Sequence, residues 1–187
     1  MKTKVFKRLL TGLCGSLLTL SFSSYANTEY GMTVPEGAKS GDLSLVDCDV
    51  FLSGDDRSYA GDCGTLVVPE NRLNPNSKLI ALPITRIKAL NDKVLEPIFW
   101  FTGGPGGANT FPMPSDGILN NHDFIMVGYR GVEGQVKLTC PEINAAVSTA
   151  VDNNFLSDAS LDSYAEAAKA CHARLIDEGV DIDGYSM

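Results

Sequence analysis

Apolar positions along this chain fall into two patterns. From Lys78 to Leu90 they alternate, with Ile80, Leu82 and Ile84 set against Leu79, Ala81 and Pro83, the period of a strand. Gly64-Thr65-Leu66-Val67-Val68-Pro69 reads as a shorter strand ended by its proline, and Asn71 to Ser77 is a turn rich in Asn and Pro. Two strands joined by a short polar turn predict an antiparallel hairpin. Pro83 has no N–H to donate, which predicts a sheet edge for the second strand.

Further along, the alternation stops. Ile98 to Phe101 and Phe124 to Val127 are continuous apolar runs, the pattern of parallel strands covered on both faces. The residues between them leave room for a crossover with a short helix around Asp116 to Asn120. After a loop, Asp152 to Asp158 is a polar linker, and Ser160 can cap a helix from Leu161 to about Glu178 that Gly179 stops. Leu161, Tyr164, Ala165, Ala168, Cys171 and Leu175 form one face of that helix. Asn27 to Asp42 reads as a lead-in, and Asp47 to Gly61 as an irregular segment tied down by Cys48.

The beginning of the chain has a different character. Lys2, Lys4, Lys7 and Arg8 precede an apolar stretch from Leu9 to Leu20 that is too short for a membrane span, and Ser24-Tyr25-Ala26 offers a cleavage site. Residues 1–26 are expected to be a signal peptide, with 27–187 the mature, exported part, periplasmic or extracellular and free of the membrane after cleavage. Losing four basic residues takes the formal charge from −8 to −12, which argues against nucleic acid or an anionic membrane surface as partner.

Cys14 leaves with the signal segment, and four cysteines remain. An even count in an exported chain points to two disulfides among three connectivities. The sequence-local pairs Cys48–Cys63 and Cys140–Cys171 are expected, since each closes a short segment. No Cys-x-x-Cys occurs and only His122 and His172 could assist, so neither metal nor cofactor is expected.

The chemistry lies in Phe101-Thr102-Gly103-Gly104-Pro105-Gly106-Gly107, where an apolar strand runs into four glycines around one proline. Such a backbone can aim N–H groups at an oxyanion. Neither phosphate-loop spacing is present. This stretch resembles the His-Gly-Gly-Pro-Gly loop of the proline iminopeptidase and tripeptidyl aminopeptidase group of α/β-hydrolases, with Thr102 where that group often has His. Asp123 to Gln135 is similar to the group's Asp-Gln-Arg-Gly-x-Gly-x-Ser stretch, firmly only at Arg130-Gly131. Gly128 replaces its Asp, Tyr129 its Gln and Glu133 its second Gly. Tyr59 to Glu70 looks like the group's Cys-Gly-x-Leu-x-Val-Pro strand, and Cys140 and Cys171 match the paired cysteines of its secreted members.

The resemblance implies an α/β fold: the N-terminal portion of an α/β-hydrolase sheet, an antiparallel hairpin followed by parallel strands with crossover helices, incomplete. It implies acyl transfer by a Ser-His-Asp triad, with the backbone of Gly103, Gly104, Pro105 and Gly106 as oxyanion loop and Arg130 as a half-buried scaffold residue hydrogen-bonded to loop carbonyls. No Gly-x-Ser-x-Gly occurs in the 187 residues. No catalytic side chain is nominated, and His122, His172, Asp55, Asp56, Asp181 and Asp183 read as surface groups. The chain is expected to end before the nucleophile elbow, to be inactive by itself, and to meet a peptide or acyl substrate only with its C-terminal half supplied. A further strand is expected beside the one preceding Gly128. The competing reading is a complete small exported binding protein whose glycine loop takes an anionic ligand.

Overall fold

A computed structural model describes residues 32–52, 57–104, 106–110, 114, 116–151 and 154–185. The expected signal peptide and Pro105 lie outside the described residues, as do Asp55 and Asp56. Five strands form one mixed sheet: β1 (Leu43–Phe51), β2 (Ser58–Pro69), β3 (Leu79–Ile87), β4 (Ile98–Trp100) and β5 (Phe124–Val127), in the order β1-β2-β3-β5-β4. The helices are α1 (Asp116–Leu119), α2 (Pro141–Val151) and α3 (Asp158–Asp177), followed by a 3-10 turn at Ile182–Tyr185.

The β2–β3 hairpin forms as the pattern predicts, in the register Leu66↔Leu82 and Val68↔Ile80. Its turn is closed by Glu70 N donating to Lys78 O at 2.9 Å, and by the Asn71 and Asn74 side chains accepting from the N–H groups two residues ahead. β1 departs from the expected irregular segment. It pairs antiparallel with β2 from Leu43↔Leu66 to Phe51↔Ser58 and is bound to it by the Cys48–Cys63 disulfide, Cα–Cα 5.8 Å. Most of its side chains are exposed on both faces, so no alternation marked it as a strand.

Pro83 does not put β3 at an edge. β3 lies between β2, with Thr65↔Pro83, and β5, with Ile84↔Val127. Pro83 stands where the β3–β5 ladder ends. There its carbonyl accepts from Gly128 N at 2.8 Å, and the reciprocal bond that would need a proline N–H falls outside the ladder. Gly128 makes this possible, because a Cβ there would lie 2.5 Å from Pro83 Cγ.

β4 and β5 are parallel, joined through α1, as their apolar runs predict. They are not covered equally on both faces. On one face Phe124, Met126, Ile87, Val50, Leu52, Tyr59 and Leu119 form the core, with Trp100 5.6 Å from Phe124 between ring centroids. On the other, the row Asp47, Asp62, Arg86, Ile125 and Phe99 runs in register across all five strands, and Phe99 is 56% exposed. Arg86 bridges Asp62 and Asp123 there, and Lys88 bridges Asp47 and Asp62. This face stays open because α2 and α3 pack chiefly against each other. The free edge also differs from the expectation. β5 has β3 and β4 as neighbours, so on that side of the sheet the edge belongs to β4 rather than to the strand preceding Gly128.

α2 occupies part of the expected loop, opening with Pro141 and Glu142 in its first turn. α3 begins earlier than expected: Ser157 is its N-cap, accepting from Ser160 N, and the helix ends before Gly179 at φ +79°. Of its predicted face, Cys171 and Leu175 are buried, Tyr164 half-buried, and Leu161, Ala165 and Ala168 exposed. Its second half is fastened to α2. The Cys140–Cys171 disulfide, Cα–Cα 5.4 Å, and the Arg174–Glu142 pair at 2.6 Å tie it to α2. The 3-10 turn then docks on the hairpin: buried Glu70 accepts from Asp181 N at 3.1 Å and Tyr185 OH at 2.9 Å.

Candidate functional site

The glycine loop leaves the C-terminal end of β4, level with the C-terminal end of β5, the side of a parallel pair on which α/β sites form. Gly104 and Gly106 have φ of +98° and +78°, a region side-chain-bearing residues avoid, and Gly107 N closes a turn onto Gly104 O at 3.0 Å. Gly103 and Gly104 are exposed, and a Cβ at either would meet no non-neighbouring atom within 4 Å. Among the described residues their N–H groups meet no acceptor. The corner therefore presents two unused main-chain donors.

Beneath it the backbone is held tightly. Asn109 is fully buried: its Oδ1 accepts from Thr102 N at 2.9 Å, while its Nδ2 donates to Trp100 O at 3.0 Å and Val127 O at 2.8 Å. One amide thus joins the ends of β4 and β5 to the start of the loop. Glu133, also buried, accepts from the N–H groups of Asn109 at 2.6 Å, Thr110 at 3.1 Å and Tyr129 at 3.0 Å, and from the Thr110 hydroxyl. Burial alone would raise its pKa. The hydroxyl of Thr110 and the three N–H groups outweigh it, so the carboxyl is held below its ordinary 4.5. Tyr129 OH donates to Thr102 O at 2.7 Å.

Arg130 is half-buried, as the family resemblance implies, but it does not bind loop carbonyls. Its Nε and Nη2 are buried and without a hydrogen-bond partner among the described residues, and its guanidinium lies 5.6 Å from the Tyr185 ring centroid. Three carbonyls at the base of the loop are taken by other groups, Trp100 O and Val127 O by Asn109 and Thr102 O by Tyr129. Gly131 follows at φ +78°, and its carbonyl accepts from Leu138 N at 2.7 Å.

Asn109, Tyr129 and Glu133 were missed by reasoning from sequence. Tyr129 and Glu133 stood out only as departures from a motif, and Asn109 follows the glycines without any local pattern. A carboxylate two residues past Arg130-Gly131, just after an apolar strand, was the available signal.

The histidines stay apart from the loop. His122 Nδ1 lies 2.7 Å from Glu96 O, and His172 is exposed on α3. No Ser–His hydrogen bond occurs among the described residues. Asp181 accepts from the Asn71 side chain at 3.0 Å. Among the described residues, Cys140, Glu142 and Cys171 are the one group clustered closely enough to hold a metal ion, but both sulfurs belong to the disulfide and Glu142 is paired with Arg174. No described helix is long and apolar enough to cross a membrane. No protein-family model matches the chain, and no curated protein matches it either.

Proposed function

We propose that this chain supplies the oxyanion loop of an exported serine hydrolase that releases residues from peptide N-termini, akin to the proline iminopeptidase and tripeptidyl aminopeptidase group. The observation that carries the reading is the pair of unused N–H groups at Gly103 and Gly104, exposed above a buried clamp at the C-terminal ends of two parallel strands. As a serine oxygen adds to a scissile carbonyl, charge develops on the carbonyl oxygen, and these donors would stabilise it. Loss of one such donor typically costs about 10²–10³ in rate. The serine, histidine and acid belong to polypeptide other than these 187 residues, so the chain alone is inactive. The unpaired edge of β4 and the exposed Phe99 and Phe101 beside it support a sheet that continues. The two disulfides and the basic-then-apolar N-terminus support export.

The test is covalent labelling by a fluorophosphonate probe. The isolated chain should not label. Co-expressed with the polypeptide encoded in frame after Met187, it should label one serine within Gly-x-Ser-x-Gly and hydrolyse aminoacyl anilides. Labelling of a defined serine in the isolated chain, or a downstream frame without that motif, would overturn the reading. Saturable binding of inorganic phosphate by the isolated chain would then favour the small anion-binding protein.

A further inference from the structure

We infer that Tyr129 is a positioning residue that aims the Gly103 N–H, and that Glu133 holds Tyr129 in place to do so. The argument rests on one peptide unit. Thr102 C=O and Gly103 N–H belong to the same planar trans amide and point in opposite directions. Tyr129 OH donates to that carbonyl at 2.7 Å, so it fixes the plane and turns the Gly103 N–H away from the body of the protein, toward the exposed corner. The preceding amide is fixed as well, since Thr102 N donates to Asn109 Oδ1 at 2.9 Å. Both anchors converge on Glu133, whose carboxylate accepts from Tyr129 N at 3.0 Å and Asn109 N at 2.6 Å. A glycine corner with φ of +98° at Gly104 lacks a side chain to hold it, so its orientation must come from its neighbours.

The groups around Glu133 make its ionisation a clean reporter. Its donors are all neutral. Gly128, which packs against its Cβ just past β5, and Pro83 of β3 beside that glycine carry no charge. Tyr129 is the titratable group bonded to it, and Arg130, next in sequence, has its guanidinium near Tyr185. The use of the Gly103 N–H rests on the proposed oxyanion role, but its orientation does not. A measurement on the loop itself therefore keeps the two ideas separable.

The experiment is an acid titration of the full ¹⁵N-labelled chain followed by amide chemical shifts. In the wild type, the amides of Asn109, Thr110, Tyr129 and Gly103 should move in one common step below pH 4.5, the ordinary value for this carboxyl. In Tyr129→Phe the Asn109 and Thr110 amides should still show that step, while Gly103 loses most of its amplitude. In Glu133→Gln the step should vanish at all four. If that variant does not fold, Tyr129→Phe alone carries the test. A Gly103 amide that ignores the step in the wild type, or keeps its full amplitude in Tyr129→Phe, overturns the inference. Either outcome leaves the hydrolase proposal to its own labelling test.

Discussion

Replacing Asn109 by alanine should be among the most damaging single changes open to this protein. The side chain is fully buried and makes three hydrogen bonds, of 2.9, 3.0 and 2.8 Å, to backbone groups of Thr102, Trp100 and Val127. Each such bond contributes about 0.5–1.5 kcal/mol net, and a buried partner left stranded costs about 1–3 kcal/mol. Three together give about 3–4 kcal/mol, a large share of a typical stability of about 5–15 kcal/mol. With a urea slope of about 2 kcal/mol per M, the unfolding midpoint should fall by about 1.5–2 M at an unchanged slope. Asn109→Asp separates the chemistry from the packing. It keeps an acceptor for Thr102 N but turns a carboxylate toward two carbonyl oxygens, so at pH 7 it should be no more stable than the alanine variant. Equilibrium urea unfolding of the three proteins, followed by Trp100 fluorescence, measures this. An alanine variant within 1 kcal/mol of wild type, or an aspartate variant as stable as wild type, would refute the view of Asn109 as the joint between β4, β5 and the loop.

Gly128→Ala should cost about 1–3 kcal/mol through its clash with Pro83, and Pro83→Ala in the same chain should restore part of it; strict additivity in thermal melts would count against the fit described. Removing the Cys140–Cys171 bridge as a double serine variant should destabilise by about 2–4 kcal/mol, and an unchanged melting temperature would show that α2 and α3 need no staple. Because Glu133 is depressed below 4.5, its contribution to stability is fully present above that pH and lost as pH falls through its folded value. Glu133→Gln should therefore be less stable at pH 7 yet show a flatter decline below pH 4.5, and parallel stability–pH curves for the two proteins would exclude this.

Elements whose burial follows a simple period could be read from the chain. Ile98–Trp100 and Phe124–Val127 gave parallel strands, and the apolar run from Leu79 with its Asn-rich turn gave the hairpin. β1 could not be read, since its side chains are largely exposed and its place is set by pairing with β2 and by Cys48. α2 passed unnoticed because Ala150 is its one buried residue, too little to write a stripe. Pro83 misled because the rule against central prolines rests on the missing N–H, and here that N–H would fall where the β3–β5 ladder ends, with Gly128 leaving room for the ring. The glycine loop was conspicuous in the sequence, but the groups that hold it were not. Asn109 and Glu133 act on main-chain atoms, and main-chain partners leave no complementary residue type elsewhere in the sequence.

The strand order has a consequence in time. β4 precedes β5 in the chain, yet β5 is its one partner in the sheet, and β5 in turn leans on β3. A three-residue strand with a single neighbour gains no ladder of its own until that neighbour has arrived, so β4 joins a sheet the hairpin has already begun. The glycine corner, hung from the end of β4 and clasped from the far side of β5, takes its shape last and should be the first part to let go. Amide exchange ranked along β3, β5 and β4 in the native protein would display that order, with β4 opening before the others.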